Sequence, residues 1–150
     1  IKNLTYAGLQ IIWQTGDKDY IKYKHYSTKN TFITPFINDM AGAYALADLI
    51  ICRSGALTLS EITLSGKASI LIPYPYAAGN HQTKNAQALV DAGAAKILSQ
   101  KLLKPKQLLH SIITLIHNQN ELTKMSSSSR LLGKPNATRE IVDQILEIAK

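Results

Sequence analysis

The sequence predicts an α/β fold, a parallel sheet with flanking helices, and three observations carry that expectation. Short, unbroken apolar runs recur between segments of helical length, as in Leu49-Ile50-Ile51-Cys52 and Ser69-Ile70-Leu71-Ile72. Strands covered on both faces read this way, and strands spaced by helices form βαβ units. The loops after these runs hold Gly and Pro, while the last third carries helical spacing throughout.

Each element follows from local signals. Leu9-Gln10-Ile11-Ile12-Trp13-Gln14 is a strand ended by Thr15-Gly16-Asp17, with Asp17 expected to cap a helix through Tyr26. Thr31-Phe32-Ile33-Thr34 is a second strand, closed by Pro35, and Asn38 is expected to cap a small-residue helix over Asp39 to Leu46. Leu49 to Cys52 is the third strand. The helix from Ala56 stops at Ser65-Gly66. Ser69 to Pro73 is the fourth strand, and a helix over His81 to Asp91 follows a Pro/Gly-rich loop. Gly93 to Leu98 is a short edge strand. Helices over Pro105 to Asn118, Asn120 to Leu132 and Ala137 to Ala149 complete the chain, with Ser126-Ser127-Ser128-Ser129 taken as an exposed face.

Composition bounds the function classes. At 150 residues with 45% hydrophobic content, one domain with a substantial core is expected. The net charge is +7, from 17 Lys and Arg against 10 Asp and Glu. The lysines are scattered, with no polybasic block and no aromatic–basic interleaving, so a solvated surface is expected and nucleic acid is not an expected partner. Cys52, the one cysteine, excludes an intrachain disulfide and sits in an apolar run as a structural thiol. No run approaches the roughly 18 apolar residues of a spanning helix. No metal centre or cofactor is expected: His25, His110 and His117 lie far from His81, and the presence of an Asp-x-Asp pair for Mg²⁺ is not expected. The start at Ile1 suggests a piece of a longer protein.

In parallel sheets ligands bind beyond the carboxyl ends of the strands. That singles out the loops Pro35–Asp39, Arg53–Thr58 and Tyr74–Thr83. The run Arg53-Ser54-Gly55-Ala56-Leu57-Thr58-Leu59-Ser60-Glu61 reads as a strand–turn–helix corner. Two readings of it stand: a close-packing turn, or free N–H groups at a helix N-terminus that hold an anion. On the second, Glu61 further along the helix accepts hydrogen bonds from a sugar diol, and phosphate plus diol describe a nucleotide-sugar. It is neither a P-loop nor a dinucleotide fingerprint. In Asn80-His81-Gln82-Thr83-Lys84-Asn85, Asn80 is a candidate N-cap, and His81, Gln82 and Asn85 are candidates for sugar hydroxyls. For His81 alone, a surface histidine is the competing reading. The loop Thr34-Pro35-Phe36-Ile37-Asn38-Asp39-Met40 could present backbone groups to a flat base edge, or be an ordinary turn.

Together, Thr34–Met40, Cys52–Glu61 and Asn80–Ala86, with Trp13-Gln14-Thr15-Gly16 and Asp91-Ala92-Gly93-Ala94-Ala95, resemble the C-terminal half of the MurG glycosyltransferase family from about Leu9 onward. The resemblance implies a Rossmann-like donor domain of a GT-B enzyme. Such enzymes transfer N-acetylglucosamine from UDP-GlcNAc to lipid I, making lipid II for peptidoglycan, on the cytoplasmic face of the bacterial inner membrane as peripheral proteins. It implies that Ile37, with Phe36 and Met40 nearby, meets uracil. Ala56, Leu57 and Thr58 would lie on the diphosphate and sugar, Glu61 on the ribose, and Gln82 with His81 on the GlcNAc hydroxyls. Some members carry Gln-Gln at His81-Gln82. The resemblance further implies that the acceptor domain, with its general base, and an initial strand with a Gly-Gly-Ser-type loop precede Ile1. The chain is therefore expected to be an N-terminally truncated donor half with an exposed sheet edge, inactive alone, with no catalytic residue of its own and no metal requirement. The alternatives are another GT-B UDP-sugar transferase, such as a glycolipid synthase, or a non-catalytic basic module that docks on nucleic acid or anionic lipid.

Overall fold

The computed structural model describes residues 4–5 and 7–149. The start of the helix-like opening segment lies outside the described residues. From residue 11 on, the described elements are, in order, β1 (Ile11–Gln14), α1 (Asp17–Tyr23), β2 (Thr31–Thr34), α2 (Met40–Leu46), β3 (Leu49–Cys52), α3 (Ala56–Ser65), β4 (Ala68–Leu71), α4 (His81–Asp91), β5 (Ala95–Ile97), α5 (Pro105–Ile116), α6 (Gln119–Leu132) and α7 (Ala137–Ile148). Short 3₁₀ turns cover Lys24–Tyr26 and Ala78–Asn80. The chain forms two compact units, residues 1–47 with 103–119, and residues 48–102 with 120–150.

All strand pairs are parallel, as the alternation of strands and helices requires. They fall into two sheets, β1–β2 in the first unit and β3–β4–β5 in the second. Consecutive strands are neighbours only roughly two-thirds of the time, and here the pairing breaks between β2 and β3. In the first unit Thr31 and Ile33 of β2 are buried while Phe32 is exposed, and Trp13 of β1 meets Tyr23 of α1 with ring centroids 4.8 Å apart. The buried residues of α5 in this unit are Ile112 and Leu115.

In the second unit β4 is the middle strand and every residue of it is buried. Leu59, Ile62 and Thr63 give α3 its inward stripe at i, i+3, i+4 spacing, and Ala86 and Leu89 do so for α4. Ile62, Ile70 and Leu71 are fully enclosed, each contributing about 1.5–3 kcal/mol by burial. The end of α3 is a Schellman turn. Lys67 N–H bonds Ile62 C=O at 3.2 Å, Gly66 N–H bonds Thr63 C=O at 3.0 Å, and Gly66 adopts φ 61°.

Three local expectations change. Asp17 is the first helical residue and Gly16 the cap of α1. Asp39, not Asn38, caps α2, its carboxylate accepting from Gly42 N–H at 2.8 Å. The serine run of α6 is not wholly exposed. Ser129 is fully buried and its hydroxyl donates to Ile62 C=O at 3.4 Å, because α6 supplies its small residues to α3.

Candidate functional site

The carboxyl ends of β3 and β4 open onto α3 and α4, and the site is built where these two corners meet within the second unit. Gly55 caps α3 with extended backbone (φ −67°, ψ 146°) and has no side chain to fill the cap. The first intrahelical bond runs from Leu59 N–H to Gly55 C=O at 3.0 Å. The N–H groups of Ala56, Leu57 and Thr58 precede it and lie at the positive end of the helix dipole. Ala56 is exposed and Leu57 is 75% exposed, so nothing hydrophobic buries this turn. Glu61 is half-buried, four residues beyond Leu57 and on the same helix face.

The neighbouring residues of the corner do other work. Ser54 is fully buried, and its hydroxyl donates to Gln82 C=O at 2.7 Å. Leu59 is a core residue at 7% exposure. The Ser60 hydroxyl donates back to Ala56 C=O at 3.0 Å. Arg53 turns toward β4, its Nη1 donating to Ile72 C=O at 2.9 Å and Pro73 C=O at 3.3 Å. Its guanidinium lies 5.7 Å from the Tyr74 ring centre, and Tyr74 meets Tyr76 edge-on. Sequence inspection singled out neither tyrosine as part of this packing.

The α4 corner turns through two consecutive left-handed residues, Gly79 and Asn80, each at φ 55°. Asn80 is the cap position, as expected, and its side-chain oxygen accepts from the Thr83 hydroxyl at 2.7 Å. Gln82 Oε1 accepts from Tyr74 N–H at 2.9 Å, which commits the amide oxygen and leaves the amide N–H₂ to donate. His81 is exposed, and its Nδ1 lies 2.7 Å from Ala78 C=O. A carbonyl only accepts, so Nδ1 carries a proton in this contact, and in the corresponding Nδ1–H tautomer Nε2 is the acceptor. Asn85 donates through Nδ2 to Ser54 C=O at 3.2 Å.

Ile37 and Met40 belong to the first unit. Ile37 N–H donates to Gln14 Oε1 at 2.9 Å, and Met40 opens α2. Cys52 is half-buried, and burial pushes its thiol up to about 12, which leaves it protonated and inert at neutral pH. The sequence does contain an Asp-x-Asp pair, contrary to expectation. Asp17 and Asp19 lie on the exposed first turn of α1. Among the described residues no three His, Cys, Asp or Glu side chains gather as a metal site.

Parallel strands followed by helices, with a helix N-terminus that no side chain caps beside a polar loop, define the second unit as an α/β domain of the doubly wound class. The chain belongs to the glycosyltransferase family 28 C-terminal domain family, whose model matches residues 1–145. It is 40% identical over 146 residues to the UDP-N-acetylglucosamine--N-acetylmuramyl-(pentapeptide) pyrophosphoryl-undecaprenol N-acetylglucosamine transferase of Chlorobium phaeobacteroides, covering 96% of this chain and 40% of that protein. It is 42% identical over 147 residues to the transferase of the same name from Acetivibrio thermocellus, covering 95% and 40%. The crystal structure of Acinetobacter baumannii MurG superposes with a TM-score of 0.81 at 41% identity, covering 93% of this chain and 41% of that one. The chain thus spans about 40% of the length of the curated relatives it matches. These findings bear out the family resemblance and the GT-B-type α/β fold drawn from the motifs.

Proposed function

We propose that this chain is the donor-binding half of an inverting transferase that moves N-acetylglucosamine from UDP-GlcNAc to lipid I, forming lipid II for peptidoglycan. The observation that carries this reading is the uncapped N-terminus of α3 at the carboxyl end of β3. The N–H groups of Ala56, Leu57 and Thr58 hold the diphosphate. Charge develops on that diphosphate as the bond to the sugar breaks, and fixed N–H dipoles stabilise it without reorganising. A carboxylate four residues past Leu57 sits about 6 Å further along the helix axis at 1.5 Å per residue. That is the span from a nucleotide's phosphate to its ribose diol, and it gives Glu61 the ribose hydroxyls as partners. Gln82, with its oxygen held by Tyr74 N–H, donates to a sugar oxygen, and His81 accepts from a sugar hydroxyl at Nε2.

The phosphate, ribose and hexose contacts of this reading lie in the second unit and need no metal. The acceptor and the general base belong to the remainder of a longer protein, so the chain by itself catalyses nothing. The lipid-linked acceptor places the complete enzyme at the cytoplasmic face of the bacterial inner membrane as a peripheral protein. Among the described residues no helix is long and apolar enough to cross a membrane.

Titration by NMR with UDP-GlcNAc, UDP-glucose and ATP, on the parent chain and on Glu61→Ala, tests the proposal. The expected result is preference for the uridine ligands, GlcNAc over glucose, with affinity lost in Glu61→Ala. Equal binding of ATP, or indifference to Glu61→Ala, overturns it.

A further inference from the structure

Ser54 and Asn85 sit among the candidate ligand contacts, yet their hydrogen bonds run to the protein. Ser54 is fully buried, so a bound nucleotide cannot reach its hydroxyl. That hydroxyl donates to Gln82 C=O at 2.7 Å, and Asn85 Nδ2 returns a bond to Ser54 C=O at 3.2 Å. The two bonds cross gaps of 28 and 31 residues and join the β3–α3 corner to the first turns of α4. A third bond, Tyr74 N–H to Gln82 Oε1 at 2.9 Å, fixes the Gln82 side chain itself. Arg53 ties the same corner to Ile72 and Pro73, two residues and one residue before Tyr74.

The start of α4 needs such a tie. It begins at two consecutive residues with φ 55°, one of them a non-glycine, and no side chain caps its backbone N–H groups. A helix end without a cap frays, and Gln82 is its second residue. We propose that Ser54 and Asn85 are positioning residues, a clasp that holds Gln82 in register with the N-terminus of α3, so that the hexosyl part of a nucleotide-sugar is recognised while the phosphate contacts are untouched. This deepens the donor-site reading and rests on it. The two parts of the ligand are then separable. The helix N-terminus meets the diphosphate whatever the state of α4, and the sugar adds affinity only when the clasp is closed.

The test is titration of the parent chain, Ser54→Ala and Asn85→Asp with UDP and with UDP-GlcNAc, together with amide exchange at Tyr74. Asn85→Asp keeps the size of the side chain and removes its donor, at a half-buried position, so it reports if Ser54→Ala fails to fold. The expected result is UDP affinity within twofold of the parent in both variants. The extra affinity contributed by the sugar falls by about 5- to 15-fold, the scale of one buried hydrogen bond. Tyr74 amide protection falls with it. Equal losses for UDP and UDP-GlcNAc make the two residues phosphate-site determinants and overturn the proposal, as does no loss for either. If the parent chain binds neither ligand, the donor-site reading fails, and Tyr74 exchange decides the clasp by itself: unchanged protection in both variants overturns it.

Discussion

Replacing Ala56 by proline removes one N–H from the first turn of α3 and nothing that the helix uses. Ala56 is the first helical residue, and the first intrahelical donor is Leu59. Proline is well suited to that position, and the residue before it must be extended. Gly55 already is, at φ −67° and ψ 146°. Ala56 is exposed, so the ring meets no core atoms. Stability is therefore expected to hold within about 0.5 kcal/mol or to rise by up to about 1 kcal/mol, since proline restricts the unfolded chain. The phosphate site loses one charge-assisted hydrogen bond, worth about 1.5–3 kcal/mol, which is about a 10- to 150-fold loss of UDP affinity. Calorimetric or NMR titration with UDP measures this, with uridine, which lacks phosphate, as the control that does not change. A folded Ala56→Pro variant that binds UDP within twofold of the parent refutes the assignment of the diphosphate to this helix end.

Two further outcomes follow from the packing. Gly66→Ala places a side chain at φ 61° and a Cβ 2.7 Å from Arg130 Nε and 3.1 Å from Arg130 Cβ; the guanidinium end can swing away, while the Cβ, fixed on α6, is a tight contact. The cost is about 1–2 kcal/mol from the left-handed backbone, read as a lower urea midpoint. A midpoint equal to the parent's contradicts the Schellman turn. Cys52 has its thiol raised by burial from 9.0 to about 12, so folding favours the protonated form. Its contribution to stability is complete below about pH 9 and is lost as pH rises toward 12. The difference in unfolding free energy between the parent and Cys52→Ala is expected to be flat below pH 9 and to fall above it. A flat difference throughout would mean an accessible thiol.

The parts of the fold legible in the sequence are those governed by neighbours in the chain. The apolar run Leu49–Cys52, the small residues after it and the Gly66 stop define a strand, a corner and a helix with no help from elsewhere. Where two local signals compete, sequence inspection misassigned the cap. Asn38 and Asp39 are both capping residues, and only the geometry that brings Asp39 to Gly42 N–H distinguishes them. Asp17 has the same problem beside Gly16. What the sequence does not display is the set of bonds that cross long gaps. Ser54 and Gln82 read as independent polar residues near a ligand, and the hydroxyl-to-carbonyl bond between them appears only once β3 and β4 are paired. Ser129 likewise reads as one more serine in an exposed run, until α6 lays it on Ile62 C=O. The division of the strands into two sheets has no local signal, because strand pairing joins segments distant in the sequence.

The most direct measurement is a backbone and side-chain amide NMR titration of the chain with UDP-GlcNAc. The account predicts that the largest shifts fall on the amides of Ala56, Leu57 and Thr58 and on the Gln82 side-chain amide. Shifts spread over the scattered lysines with those four unchanged would contradict it.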